Sequence, residues 1–252
     1  MFPLSPHIPS SLYGADQGAC AFLKKGDFLV KTIYFAGDST ASIKTENVRP
    51  EMGWGEELVK RVEGQFIVKN YAVNGRSSKS FIEEGRLAQI EWEIQAKDIL
   101  LIQFGHNDFK PNDPTRHTEP DDEFKSNLKK YIDVARSQDA FPILLTPTTR
   151  RVYRDEQLDH TLLEEYRKAI YQVAEKEDVP LIDIFTHMQN GLNKLAQEET
   201  KSFFLYVNKG ESENYPDGKD DDTHLNPNGA RLVTTIFIDA LNKLKLNYFH
   251  IQ

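Results

Sequence analysis

The 252-residue chain has a single cysteine, Cys20, so no disulfide can form within it and a cysteine-stapled small domain is excluded. Long apolar runs are missing too. Nothing approaches the roughly 20 consecutive residues of a membrane-spanning helix. Residues 1–27 lack the apolar core of a signal peptide: prolines come early, Lys24 and Lys25 come late, and the Gln17-Gly18-Ala19-Cys20 stretch has no hydrophobic segment before it. The first thirty residues therefore read as a poorly ordered or surface-draped lead-in to one domain over 31–252, and the chain is expected to be cytoplasmic. Positive charge is in deficit. The formal net charge is −8, which argues against nucleic acid or an anionic membrane as the main partner, because both reward clustered Lys and Arg. Internal repeats and low-complexity segments are absent. The histidines lack the HExxH spacing of a zinc site, and Asp220-Asp221-Asp222 matches no calcium loop, so no metal is expected.

What the chain does have is short apolar runs alternating with helical patterns, the signature of a parallel sheet with crossover helices. Strands are expected at Val30–Ala36, Ile67–Val73, Asp98–Phe104, Phe141–Thr146 and Val179–Asp183. Helical spacing runs through Trp54–Val62, Phe81–Ile94 (weakened by Gly85), Phe124–Ala135, Leu158–Val173, Ile184–Leu195 and Ala230–Leu244. Asn226 and Pro227 suit the cap and first position of the last helix. Lys110–Pro120 reads as a long loop, and Ser202–Gly218 as irregular and aromatic. The expected architecture is a three-layer αβα sandwich on a five-stranded parallel sheet, with the strand-end turns along one rim.

Four polar clusters fall on that rim or just before the closing helix: Gly37-Asp38-Ser39, Asn74-Gly75, Gly105-His106-Asn107-Asp108, and Asp221 with His224. Acyl transfer by serine needs a base for the hydroxyl proton, an acid to orient the base, and donors for the developing oxyanion. Ser39 is the candidate nucleophile. His224 can act as base near neutral pH, and Asp221 can reach back across one turn to fix its tautomer, with Asp220 and Asp222 also within reach. The backbone N–H of Ser39, that of Gly75 and the side-chain amide of Asn107 are candidate oxyanion donors.

With these blocks in this order the chain resembles the SGNH (GDSL-type) hydrolase superfamily, through Ser39, Gly75, Asn107 and His224. Within it, the likeness is to rhamnogalacturonan acetylesterases, through Ala36-Gly37-Asp38-Ser39-Thr40, Gly75-Arg76-Ser77-Ser78, Phe104-Gly105-His106-Asn107-Asp108 and Asp221-Asp222-Thr223-His224. It extends from about Ile33 to about Leu244. The resemblance implies a flavodoxin-like sheet of order 2-1-3-4-5 and a catalytic set of Ser39, Asp221 and His224. It selects Asp221 among the three aspartates. It also implies an acetylated oligosaccharide as substrate, removal of its acetyl groups from sugar hydroxyls, and no metal or organic cofactor. The nucleophile elbow of α/β-hydrolases does not fit, because Gly37-Asp38-Ser39-Thr40-Ala41 lacks its second glycine.

Other residues have blander readings. Asp38 suits a turn acid, His106 a structural hydrogen bond, Trp54 helix packing, and Arg150-Arg151 a solvated pair, although either arginine could meet an acidic sugar. Gly53-Trp54-Gly55 lacks the strand and third glycine of a nucleotide-binding loop. Competing functions are a xylan-fragment acetylesterase, a short-chain lipase or thioesterase on the same fold, and a sugar-binding protein with a silent site.

Overall fold

The computed structural model describes residues 31–244; the expected lead-in and Cys20 lie outside the described residues. In chain order the elements are β1 (Lys31–Gly37), α1 (Trp54–Arg61), β2 (Phe66–Asn70), α2 (Ser78–Glu83), α3 (Arg86–Glu93), β3 (Ile99–Gln103), α4 (Lys125–Ser137) and β4 (Phe141–Leu145). They continue with β5 (Tyr153–Arg154), β6 (Gln157–Leu158), α5 (Glu164–Glu177), β7 (Leu181–Ile182), α6 (Ile184–Leu192), β8 (Phe204–Val207), β9 (Lys219–Leu225) and α7 (Pro227–Lys243). The main sheet has five strands in the order β2-β1-β3-β4-β7, all parallel. This is the expected order, with β7 as the fifth sheet strand.

The continuous apolar runs follow from burial on both faces. Ile33, Phe35, Ile99, Leu101, Ile143 and Leu145 pack with Trp54 and Leu58 of α1, Met188 of α6 and Phe237 and Leu241 of α7. The intervening Tyr34, Ala36, Leu100, Ile102 and Leu144 face α2 to α5 through Phe81, Leu87, Tyr131 and Ile170. The period-two alternation of strands makes this division. Trp54 is wholly buried, as its helix-packing role requires. Its ring meets Phe35 edge-on at 4.7 Å, and its indole N–H donates to Gln103 Oε1 at 2.8 Å, so the polar end of the side chain is satisfied inside the core. The glycine after it is a close-approach residue: a Cβ at Gly55 would lie 2.4 Å from the Ala41 carbonyl oxygen. Gly53-Trp54-Gly55 thus seats α1 against the turn that follows Ser39.

Several boundaries depart from the expected ones. β2 ends at Asn70 rather than Val73, because the Asn70 side chain accepts from Ala72 N at 2.9 Å and donates to the Ala41 carbonyl at 2.8 Å, turning the chain. The helical pattern over Phe81–Ile94 is two helices, broken at Gly85 (φ 73°). The long helix does not begin at Leu158. That residue lies in the β5–β6 hairpin, and Asp159 then holds Thr161 N and Oγ1 at 2.8 and 2.6 Å in a turn before α5. The stretch expected to be irregular contains β8, which pairs antiparallel with β9. At the last helix Asn226 caps as expected, accepting from Asn228 N and Gly229 N at 2.9 and 3.1 Å. Among the described residues no helix is long and apolar enough to cross a membrane.

Candidate active site

β1 lies between β2 and β3 in the sheet, so the loops after these three strands are neighbours at the carboxyl edge, where parallel sheets bind ligands. They carry Ser39, Gly75 and Asn107. Cross-links hold the loops in register. Asn74 Oδ1 accepts from Ser42 Oγ at 2.6 Å and from the buried Lys44 ammonium at 2.7 Å, and that ammonium also pairs with Glu51 at 2.7 Å. Asn107 Nδ2 donates to the Arg76 carbonyl at 3.1 Å. The turn around Ser39 is built by Asp38: its carbonyl accepts from Ala41 N and Ser42 N at 3.2 and 3.1 Å, and its carboxylate from Thr40 N and Oγ1 at 2.9 and 2.8 Å. Asp38 is therefore a turn acid.

The candidate base and its candidate acid come from outside the main sheet. In a regular strand, residues three apart point to opposite faces. β9 escapes this rule because its ladder with β8 is irregular: Leu205 pairs with Asp221 and the preceding Phe204 with Leu225, leaving residues 222–224 bulged. Asp221 Oδ1 closes the bulge by accepting from Thr223 N and His224 N, both at 2.9 Å. Its Oδ2 meets His224 Nδ1 at 2.9 Å. The other ring nitrogen, Nε2, lies 3.0 Å from Ser39 Oγ. Carboxylate, imidazole and hydroxyl thus form one hydrogen-bonded chain. Burial pushes the Asp221 carboxyl up, but the hydrogen bonds and charge of His224 and the N–H of Thr223 outweigh it and hold the group well below the usual carboxylate range. With Asp221 ionised, Nδ1 carries the proton and Nε2 is the acceptor facing Ser39.

Gly75, at φ 79°, sits on a left-handed turn that favours glycine. Asn107 has its amide orientation fixed at both ends, since Oδ1 accepts from Arg116 Nη1 at 3.4 Å while one N–H serves the Arg76 carbonyl. Its second N–H is left to donate. Arg116 is itself anchored on Asp113 at 2.5 Å. A cleft of about 370 Å³ opens beside Gly75, with Arg76, Glu84 and Arg116 in its wall.

The remaining sequence candidates divide sharply. Asp222 turns away from His224 to Tyr206 OH at 2.5 Å and Arg151 Nη1 at 3.2 Å. Arg150-Arg151 is not a solvated pair. Arg151 is 8 % exposed and satisfied by Thr200, Tyr206, Asp222 and the Gln197 carbonyl. Arg150 is half-buried and donates from Nε to His106 Nδ1 at 3.3 Å. His106 in turn reaches Thr148 Oγ1 at 3.3 Å; it is buried, and burial lowers its pKa to about 4, so it is neutral at ordinary pH. Its structural bonds run to the loop after β4. Asp108 carries more than the sequence reading gave it. Fully buried, it accepts from Ser78 N, Ser78 Oγ and Thr118 Oγ1 at 3.1, 2.6 and 3.0 Å, tying α2 and the long loop to the β3 turn. Burial pushes its carboxyl up to about 7 against the pull of those donors. No residue pattern pointed to this hub, whose partners lie 30 and 10 residues away. Among the described residues no three His, Cys, Asp or Glu side chains gather as a metal site would need.

The arrangement suits a hydroxyl nucleophile activated by imidazole, and comparison with known proteins agrees. Residues 35–232, from before Ser39 to beyond His224, match the GDSL-like lipase/acylhydrolase family. The chain is 37 % identical over 215 residues to the rhamnogalacturonan acetylesterase RhgT of Bacillus subtilis, covering 85 % of this chain and 90 % of that protein. It is 35 % identical to the probable rhamnogalacturonan acetylesterase YesY of the same organism, covering 85 % and 94 %. The crystal structure of Bacillus subtilis YxiM superposes with a TM-score of 0.74 at 26 % identity, over 87 % of this chain and 58 % of that one. On the match from residue 35 to 232, the ordered blocks and these relatives, the chain belongs to the GDSL-like lipase/acylhydrolase family.

Proposed function

We propose that this chain is a serine esterase that removes O-acetyl groups from rhamnogalacturonan-type oligosaccharides. The observation that carries the reading is the unbroken relay from Asp221 through His224 to Ser39, at 2.9 and 3.0 Å. In the proposed reaction His224 Nε2 takes the Ser39 proton as Oγ attacks the acetyl carbonyl. The tetrahedral oxyanion is met by the backbone N–H groups of Ser39 and Gly75 and by the free amide N–H of Asn107. The imidazolium then protonates the departing sugar hydroxyl. Water, activated by the same histidine, releases acetate from the acyl-enzyme. The sugar class rests on the similarity to RhgT and YesY.

The test is acetate release from acetylated rhamnogalacturonan fragments, acetylated xylo-oligosaccharides and an acetyl-to-hexanoyl ester series on one alcohol. The rhamnogalacturonan fragments should give the highest kcat/KM, and each methylene added to the acyl group should cost roughly 1–3 kcal/mol of transition-state binding by overpacking an acetyl-sized site. A preference for xylo-oligosaccharides overturns the sugar assignment; rates rising with chain length make the enzyme a lipase.

Asn107→Ala should lower kcat by about 10²–10³-fold with KM nearly unchanged, the signature of a donor that matters only in the transition state. If KM alone rises, Asn107 binds substrate and stabilises no oxyanion.

A further inference from the structure

Arg150 and Arg151 are adjacent in sequence and opposite in circumstance. Arg151 is enclosed, and its guanidinium is engaged by Thr200, Tyr206, Asp222 and a backbone carbonyl. Arg150 is half-buried, yet among the described residues it makes no ion pair, and it hydrogen-bonds from Nε to His106 Nδ1 at 3.3 Å. Among the described residues its two terminal nitrogens have no hydrogen-bonding partner. A guanidinium that gives up part of its hydration without a carboxylate is unusual, because buried charge is normally paired.

The position of this cation gives it a use. His106, to which Arg150 is tied, precedes Asn107. On the other side the Arg151 backbone N–H donates to the Asp222 carbonyl at 2.7 Å, which joins the loop after β4 to the strand bearing Asp221 and His224. Arg150 is therefore held between the oxyanion side of the site and its acid–base side. The other arginines near the site are paired, Arg76 with Glu84 and Arg116 with Asp113. Burial weakens the hold of Arg150 on its proton, while the fields of Asp38 and Asp221 oppose that effect, so the same two carboxylates act unfavourably on an anion bound at Arg150. The whole chain adds to the repulsion, with its net charge of −8. A planar fork of free N–H donors matches a carboxylate in two parallel hydrogen bonds.

We propose that Arg150 is a specificity-determining residue whose guanidinium binds the carboxylate of a uronic acid carried by the substrate, so that the enzyme selects acetyl esters on or next to an acidic sugar. The proposal rests on the rhamnogalacturonan reading above and adds to it the residue that recognises the acid.

The experiment compares an acetylated rhamnose–galacturonate oligosaccharide as the free acid with the same compound as its uronate methyl ester, which keeps the shape and removes the charge. The wild-type enzyme should favour the free acid in kcat/KM by at least tenfold, chiefly through KM, with the preference shrinking as salt rises. In Arg150→Gln that ratio should fall at least tenfold, and Arg150→Lys should lie between, since it keeps the charge without the fork. Equal rates on acid and ester with wild-type enzyme overturn the role of Arg150 even if the variants do not fold, while leaving the rhamnogalacturonan reading intact. A wild-type preference that survives in Arg150→Gln likewise overturns it. Failure to deacetylate either compound, with acetate still released from xylo-oligosaccharides, overturns both.

Discussion

Ser39→Ala is expected to abolish turnover, lowering kcat by about 10⁶-fold if loss of the nucleophile here has the consequence it has in serine hydrolases generally. The covalent route splits ester hydrolysis into two easier steps, and among the described residues Ser39 is the hydroxyl that stands at His224 Nε2. The fold should be untouched. The hydroxyl of Ser39 hydrogen-bonds to His224, whereas the turn itself is held by Asp38 and by backbone bonds. Near-native thermal unfolding with no measurable acetate release is the expected pair of results. A phosphonate inhibitor should label the wild-type chain once, and mass spectrometry should place the adduct on Ser39. An adduct on another serine, or appreciable kcat in Ser39→Ala, sinks the assignment.

Asp221→Asn should lower kcat by about 10⁴-fold, the scale seen when a triad carboxylate becomes an amide. An amide at this position can donate to Nδ1, which favours the tautomer whose Nε2 already carries a proton and cannot accept one from Ser39. The effect on folding has the sign of a depressed carboxyl. Asp221 is held well below its unfolded value, so its contribution is complete above about pH 4 and is lost as pH falls below that. The variant should therefore be less stable than wild type at neutral pH and match it more closely in acid. Asp222→Asn is the control. Its carboxylate serves Tyr206 and Arg151, and its replacement should cost less than about tenfold in kcat. Reversal of the two phenotypes would assign the orienting acid to Asp222.

The nucleophile turn, the neighbouring loops and the strand order were legible because each rests on a local signal: an apolar strand stopping at residues that favour turns. The acid–base strand was not. An Asp-Asp-Asp run has poor strand propensity, and the bulge that brings Asp221 and His224 to one side erases the alternation by which a strand is recognised. β8 was missed with it, since its partner begins 12 residues further on. The choice of Asp221 over Asp222 likewise depends on the bulge; the resemblance selected it, and the three-residue spacing agreed without deciding it. The burial of Arg151 ran against the ordinary exposure of arginine, and its partners lie 46 to 71 residues away in sequence. Long-range pairing of this kind leaves no periodicity to read.

The 185-residue separation between Ser39 and His224 also has a temporal meaning. A chain made from its N-terminus presents the proposed nucleophile soon after the first strand of the sheet, at a synthesis rate of about 5–20 residues per second. The base arrives only with β9, and α7 follows it directly. That helix also covers Trp54, with Phe237 at 5.3 Å, and so closes one face of the sheet. The proposed base and the cover of this sheet face are thus delivered together, by β9 and α7. A nascent polypeptide that has not yet emerged through β9 and α7 carries its serine without a proton acceptor, and its sheet still has an uncovered apolar face. On the proposed roles of Ser39 and His224, ester cleavage waits for β9.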